Sequence, residues 1–71
     1  MNIEGEKLKI GDALQSRRKS LRIAQEQLTD IAGISSRTLR DIEKGIANPE
    51  LETLLKICSV LGMEIKIEVI R

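Results

Sequence analysis

The sequence contains no Trp, Tyr or Phe, so its core must be built from aliphatic side chains. The same absence argues against single-stranded nucleic acid as a ligand, because modules of that kind stack bases on aromatic rings. With no His and one Cys, a single chain cannot form a zinc site, a Cys-His nucleophile or a disulfide. Paired-carboxylate and glycine-rich phosphate motifs are also missing. We therefore predict no catalytic residue, no metal, no cofactor and no enzymatic activity.

Long apolar runs are missing as well. No window approaches the ~18 apolar residues of a membrane span, and the first six residues lack the basic and apolar regions of a signal peptide. We expect a cytoplasmic protein without a membrane partner. The 71 residues are enough for one domain, assigned to 1–71.

The net charge of +1 hides an uneven distribution. Between Gln15 and Lys44, seven basic residues stand against four acidic ones. A positive segment of this kind indicates nucleic acid as a partner. The alternative interpretation is an ordinary solvated helical face.

Apolar residues recur with helical spacing in four segments, which predicts a mostly α-helical fold. The helices are placed at about Lys9 to Ser20, Gln25 to Ala32, Ser35 to Gly45 and Pro49 to Leu61, and the residues before Lys9 are left unassigned. Leu28, Ile31 and Ala32 are expected to face inward on the second helix, and Leu39 and Ile42 on the third. The core face of the fourth is predicted to hold Leu51, Leu54, Leu55, Cys58 and Leu61.

The second and third predicted helices meet at a tight turn. Gly33 supplies a left-handed residue that ends one helix, and Ser35 is a suitable N-cap for the next. Two short helices joined in this way are typical of a helix-turn-helix, whose second helix lies in the DNA major groove.

The last residues change period, because apolar and charged side chains alternate from Met63 to Val69. This predicts a strand over 63–70 that pairs with its copy in a homodimer, since a lone strand leaves its backbone groups unpaired. An antiparallel pair centred on Lys66 would oppose like charges, whereas centres at Ile65 or Ile67 bring opposite charges together, and Ile67 uses more of the strand. The predicted dimer interface consists of Ile57, Val60, Met63, Ile65, Ile67 and Val69.

Ten positions resemble the lambda-repressor-like, or Cro/C1-type (XRE), helix-turn-helix family. They are Leu28, Gly33, Ser35, Leu39, Ile42, Glu43, Gly45, Pro49, Leu54 and Leu61, and the resemblance covers about residues 10–62. The strand directly after the fourth helix and the segment Arg37-Thr38-Leu39-Arg40 look like HipB-type antitoxins within that family. The resemblance implies a four-helix DNA-binding domain in a dimeric repressor that regulates its own operon and binds a HipA-type kinase toxin.

The resemblance also assigns roles to individual residues. It implies base contacts by Ser36, Arg37 and Asp41, phosphate contacts by Gln25, Thr38, Arg40 and Lys44, and a structural ion pair between Arg18 and Glu43. Arg37 suits a bidentate contact with guanine, its alternative being a phosphate. Asp41 could accept from cytosine, but pairing with Arg37 or Lys44 along the helix is favoured.

The dimer predicts an inverted-repeat operator in double-stranded DNA. Two alternatives stay open. One is a stand-alone or phage-type regulator of the same fold, and the other is a protein-interaction module that binds DNA weakly.

Overall fold

Four α-helices make up most of the structure, a computed structural model that describes residues 1–70. They are α1 (Ile3–Ser20), α2 (Gln25–Ala32), α3 (Ser36–Lys44) and α4 (Leu51–Leu61). α1 and α2 each pack against both α3 and α4. The predicted mostly helical fold with four helices is confirmed.

α1 begins well before the predicted start at Lys9. Asn2 Oδ1 accepts a hydrogen bond from the Gly5 N–H at 3.1 Å and caps the helix at Ile3. Glu4 and Glu6 add negative charge to the first turn, where the helix dipole favours it. The prediction that this segment is uncommitted was wrong, because the cap and the charges outweigh the low helix propensity of Gly5.

The other helix ends lie close to their predicted positions. Ala24 precedes α2 without a side-chain cap, and Gln27 Oε1 instead accepts from the Ala24 N–H at 2.8 Å. α4 begins at Leu51, slightly later than the predicted Pro49, with Glu50 as its N-cap. The predicted glycine ends of α2, α3 and α4 are all observed.

The core lies where the four helices meet and is entirely aliphatic apart from one thiol. Its buried members are Leu14, Leu28, Leu39, Ile42, Ile57, Cys58 and Leu61. Burial raises the pKa of the Cys58 thiol, so this side chain is a packing residue in its neutral form.

Three predicted burials were wrong. On α4 the inward stripe is Leu54, Ile57, Cys58 and Leu61, while Leu51 and Leu55 are largely exposed. On α2 the side chain of Ile31 is 69% exposed. It lies at the outer edge of the contact between α2 and α4, beside Leu55 and Val60.

α1 and α3 approach each other to backbone contact at Gly11. A Cβ atom added there would lie 2.3 Å from the carbonyl oxygen of Ile42 and 2.8 Å from that of Glu43. Only glycine fits this approach without moving α3, so Gly11 sets the distance between the two helices.

Residues 63–70 form neither helix nor strand in the described chain. Met63 packs against the core, and its N–H donates to the Cys58 carbonyl at 2.9 Å. The side chains of Ile67, Val69 and Ile70 are almost fully exposed. The predicted strand is thus not formed within one copy, because no other described segment pairs with these residues.

Among the helices of residues 1–70, none combines the length and apolar character needed to cross a membrane.

Candidate nucleic-acid interface

α2 and α3 are joined by the tight turn of residues 33–35. Gly33 has a φ of 71°, in the left-handed region, and its N–H donates to the Thr29 carbonyl at 2.9 Å. Ser35 Oγ accepts a hydrogen bond from the Thr38 N–H at 3.0 Å and so starts α3 in a new direction. The predicted helix-turn-helix is present, with its two helices fixed by their own caps.

α3 has sharply different faces. Leu39, Ile42 and Glu43 are buried, while the opposite face is exposed and carries Arg37, Arg40 and Lys44; Ser36 is exposed in the first turn. Within residues 1–70, these four exposed side chains form no hydrogen bond or ion pair. Three of them are cations, so α3 presents a positive, hydrogen-bond-donating surface that is free to bind an external ligand.

Arg18 and Glu43 tie α1 to α3. Arg18 Nε lies 2.7 Å from Glu43 Oε2, Arg18 Nη2 lies 3.1 Å from Glu43 Oε1, and both side chains are buried. The remaining guanidinium nitrogen, Nη1, donates to the Ile23 carbonyl at 2.8 Å. The predicted pair is therefore present as a bidentate ion pair, and it holds α3 against α1 rather than reaching toward a ligand.

Glu43 is the centre of a larger network. Its Oε1 accepts from Gln25 Nε2 at 2.9 Å and from Gln15 Nε2 at 3.4 Å. Burial on its own raises the pKa of Glu43, but the hydrogen bonds from Arg18 and Gln25, the charge of Arg18 and the Gln15 hydrogen bond together lower it below the ordinary value. Glu43 is consequently ionised at neutral pH and neutralises Arg18.

Gln25, the expected phosphate contact at the start of α2, is half-buried and bound to Glu43. That bond places the first turn of α2 beside the last turn of α3. Because the amide of Gln25 has a second N–H, the side chain retains a donor for a phosphate. The free backbone N–H groups at the start of α2 also favour an anion at this point.

Thr38 is also partly committed to the fold. It is half-buried, and its Oγ1 lies 2.7 Å from Ser35 Oγ, within the N-cap of α3. A phosphate at Thr38 would therefore share the hydroxyl with the cap.

The favoured pairing of Asp41 along α3 was wrong. Among the described residues its carboxylate makes no ion pair with Arg37 or Lys44. Arg37 and Lys44 lie on the exposed face, while Asp41 is half-buried at its edge. The carboxylate thus remains available for a cytosine amino group.

The residues predicted for the dimer interface fall into three groups. Ile57 is fully buried in the core of one chain and cannot contact a second copy, so its assignment was wrong. Val60 and Met63 are half-buried against the same core. Ile65, Ile67 and Val69 are exposed and remain available to a partner.

Two polar contacts of α1 with other helices were not predicted. Arg17 Nε donates to the Leu61 carbonyl at 2.9 Å and ties the end of α1 to the end of α4. Gln15 joins the Glu43 network. Gln15 precedes Arg18 by about one helical turn, and this spacing is the signal that could have placed it near Glu43.

Comparison with known proteins gives a consistent class. The sequence model of the helix-turn-helix family HTH_3 matches residues 14–67, which include all of α2, α3 and α4. An uncharacterized HTH-type transcriptional regulator of Haemophilus influenzae is 43% identical over 54 residues, 76% of this chain and 55% of that protein. The immunity repressor protein of Bacillus phage phi105 is 34% identical over 56 residues, 79% of this chain and 39% of that protein.

Among solved structures, the restriction-modification controller protein C.AhdI from Aeromonas hydrophila has a similar fold. The TM-score is 0.80 at 27% identity, and the match covers 84% of this chain and 91% of that one. The fold and the site define a helix-turn-helix protein. More narrowly, the chain belongs to the helix-turn-helix family HTH_3. The match spans 55% of the length of the Haemophilus influenzae protein and 39% of the length of the phage repressor.

Proposed function

We propose that this protein is a sequence-specific DNA-binding regulator that represses transcription as a dimer. The observation that carries the proposal is the exposed face of α3, where Arg37, Arg40 and Lys44 have no partner among residues 1–70. The buried face of the same helix is held by Glu43 and Gly11. A helix that is rigid on one side and cationic on the other suits the major groove.

The proposed contacts follow from position on the two helices. Ser36 and Arg37 at the start of α3, with Asp41 at the edge of its exposed face, read base edges. Arg40 and Lys44 contact phosphates beside them. Gln25 binds a phosphate through the amide N–H that its bond to Glu43 leaves free, and Thr38 does so through its hydroxyl when Ser35 Oγ donates the hydrogen bond that the two share.

The experiment is selection of bound duplexes from a random DNA pool, followed by footprinting. We expect an inverted repeat with half-site centres ~34–36 Å apart, because a two-fold dimer presents two copies of α3. Affinity for this site should fall steeply with salt as phosphate contacts release counterions. A pool without enrichment over random duplex would contradict sequence-specific binding and favour the protein-interaction module.

We further propose that residues 63–70 hold the dimer by pairing as antiparallel strands. Support comes from the alternation of apolar and charged residues and from the exposure of Ile65, Ile67 and Val69 in a single copy. Centres at Ile65 and Ile67 both satisfy the charges, and we favour Ile67 because it also pairs Ile65 with Val69.

An autoregulating antitoxin of a HipBA-type pair, bound to a HipA-type kinase toxin, is the narrower form of the proposal. Its support is the position of the alternating segment directly after α4. The similar proteins are a transcriptional regulator, an immunity repressor and a restriction-modification controller protein, and they favour a regulator without a toxin. Inspection of the neighbouring gene, followed by co-purification with its product, distinguishes the two: a kinase-like product that co-purifies supports the antitoxin, and its absence supports the stand-alone regulator.

A further inference from the structure

An apolar trough runs between the first half of α1 and α4. Two adjoining cavities form it, one of about 250 Å³ near Pro49 and one of about 420 Å³ beside residues 63–66. Glu6, Ile10 and Leu54 line both cavities, so the surface is continuous. We call this surface, defined by Ile3, Ile10, Leu51, Leu54 and Ile65, the α1–α4 trough.

The trough has apolar side chains that the single chain leaves open. Ile10 is 46% exposed, and Ile3 and Leu51 are more exposed still. No described residue of the chain fills the two cavities. Exposed apolar side chains gathered on one continuous concave surface and flanked by charged residues such as Glu6 and Lys7 are typical of an interaction site.

The C-terminal segment of the same chain already contacts the trough. Residues 63–66 line its second cavity; Met63 is half-buried, and Ile65, further from the core, is 43% exposed. Lys66 Nζ lies 3.3 Å from Glu64 Oε1, and both side chains are well exposed. Side chains two residues apart lie on the same side of an extended chain, so this ion pair fits an extended segment that places Met63 and Ile65 on the other side, nearer the core, although Glu64 and Lys66 also border the second cavity.

The next odd-numbered residues, Ile67 and Val69, do not line either cavity of the trough in a single copy. Ile67 is 97% exposed and Val69 is 93% exposed. We propose that the α1–α4 trough receives the C-terminal segment, residues 67–70, of a second copy of this chain. The proposal rests on the dimer put forward above and adds the surface on which its strands lie.

Strand geometry identifies a second copy as the occupant. In an antiparallel pair centred on Ile67, the partner's Val69 lies opposite Ile65, on the face that Ile65 turns toward the trough. Lys66 then faces the partner's Glu68. A single segment laid in an apolar trough would leave its backbone N–H and C=O groups unpaired, whereas two copies satisfy these groups for each other.

Crosslinking between two variants tests the placement directly. In a Cys58→Ala background, Ile10→Cys and Val69→Cys proteins are made separately, mixed, allowed to exchange subunits and treated with a short bismaleimide. We expect a covalent dimer in the mixture well above the level in either variant alone. Equal crosslinking in all three samples would overturn the proposal.

The doubly substituted chain distinguishes the two possible owners of the segment. With Ile10→Cys and Val69→Cys together, contact between copies gives a covalent dimer on a denaturing gel. Product found only within single chains would show that each trough holds its own C-terminal segment, and this would also overturn the proposal.

A matched pair of substitutions measures the energetic role. Ile10→Glu places a carboxylate in the trough, and Ile31→Glu places one on the exposed edge of α2, outside it. By sedimentation, we expect Ile10→Glu to raise the dimer Kd about tenfold or more, since a carboxylate buried without a partner is strongly unfavourable. Ile31→Glu should change it less than about twofold, and circular dichroism checks that both remain helical.

The outcomes separate this inference from the dimer itself. A wild-type protein that is monomeric at all concentrations would contradict both the proposed dimer and the proposed role of the trough. A wild-type dimer weakened only by Ile31→Glu would keep the dimer but move its interface to the α2–α4 edge, and so overturn the role of the trough.

Discussion

At the scale of single residues, Glu43 places a charged side chain in the interior where three helices meet. It is buried, charged and bound by side chains from α1 and α2. Replacing a buried pair with apolar residues is often tolerated, but removing one partner leaves the other charge unpaired at a cost of about 3–5 kcal/mol. Arg18 would be that unpaired charge.

We predict that Glu43→Gln lowers the free energy of unfolding at pH 7 by about 3 kcal/mol, because Gln keeps the shape but not the charge. The pKa of Glu43 is lower in the folded state than in the unfolded one. Its contribution is therefore complete above the unfolded value and is lost as the pH falls through the folded value. Urea denaturation between pH 7 and pH 3 measures both effects.

The control for this prediction is Glu64→Gln, which changes an exposed carboxylate. It should leave the unfolding free energy and its pH dependence almost unchanged. Parallel pH curves for the wild type and Glu43→Gln would show that the lowered pKa of Glu43 does not contribute to acid sensitivity.

Arg22 is a second unusual residue, since its φ of 57° is left-handed although it is not glycine. Arg22→Gly should raise the free energy of unfolding by about 0.5 kcal/mol, because glycine adopts this conformation without steric cost. Lys19→Gly, inside α1, should lower it by about 1 kcal/mol. Thermal denaturation of both variants is the measurement, and a decrease for Arg22→Gly would show that its side chain contributes more than the strain costs.

Arg37 is the residue on which specificity is expected to depend. Arg37→Ala should cost ~1–3 kcal/mol per half-site on the selected operator and much less on random duplex, if its guanidinium bridges a guanine. Titrations on both duplexes measure the difference, with Lys56→Ala, an exposed cation on α4 outside the helix-turn-helix, as a control. An equal loss on both duplexes would make Arg37 a phosphate contact.

At the scale of elements, the position of α3 depends on its contact with α1 at Gly11. We predict that Gly11→Ala lowers the free energy of unfolding by about 1–3 kcal/mol, since the new Cβ meets two backbone carbonyls that cannot turn aside. Gly5→Ala is the matched control, because its Cβ would meet only Asn2 side-chain atoms at ordinary distances. Urea denaturation of both variants tests this, and equal stability would show that α3 can shift without cost.

The sequence predicted the helix ends that depend on local chemistry. Gly33, Gly45 and Gly62 each end a helix with a left-handed φ, and Ser35 caps α3 through its own hydroxyl. The start of α1 was missed although Asn2 carried the relevant signal, because Gly5 weakened the helical pattern next to it.

Burial on α4 and the polar network were harder to predict. α4 carries apolar residues on more than one face, and helical period alone does not decide whether Leu55 or Ile57 turns inward. Packing against α1 and α2 decides it. The hydrogen bond from Gln25 to Glu43 depends on the angle and distance at which α2 packs against α3, and the spacing of residues along the chain does not give these.

At the scale of the whole molecule, assembly decides whether two copies of α3 can bind together. Ile67→Pro removes a backbone N–H and fixes φ at the proposed centre of the strand pair, so we predict a monomer at micromolar concentration. Operator affinity should collapse with it, because tight binding requires both half-sites at once. Sedimentation and operator titration measure the two effects.

Ile67→Val is the control, since Val keeps the strand propensity and the backbone N–H. It should remain dimeric. If Ile67→Pro also remained dimeric, the strand would not be the main contact, and the exposed edge formed by Ile31, Leu55 and Val60 would become the better candidate.

The division of α3 into a buried and an exposed face has a consequence for change over time. The residues that hold the helix, Leu39, Ile42 and Glu43, are separate from those that face outward, Ser36, Arg37, Arg40 and Lys44. Substitutions on the outer face therefore leave the fold intact, and one scaffold can acquire new target sequences by exchanging a few side chains. Duplicated copies could diverge rapidly in target while keeping the same stability, and a designer could use the same separation to redirect the protein.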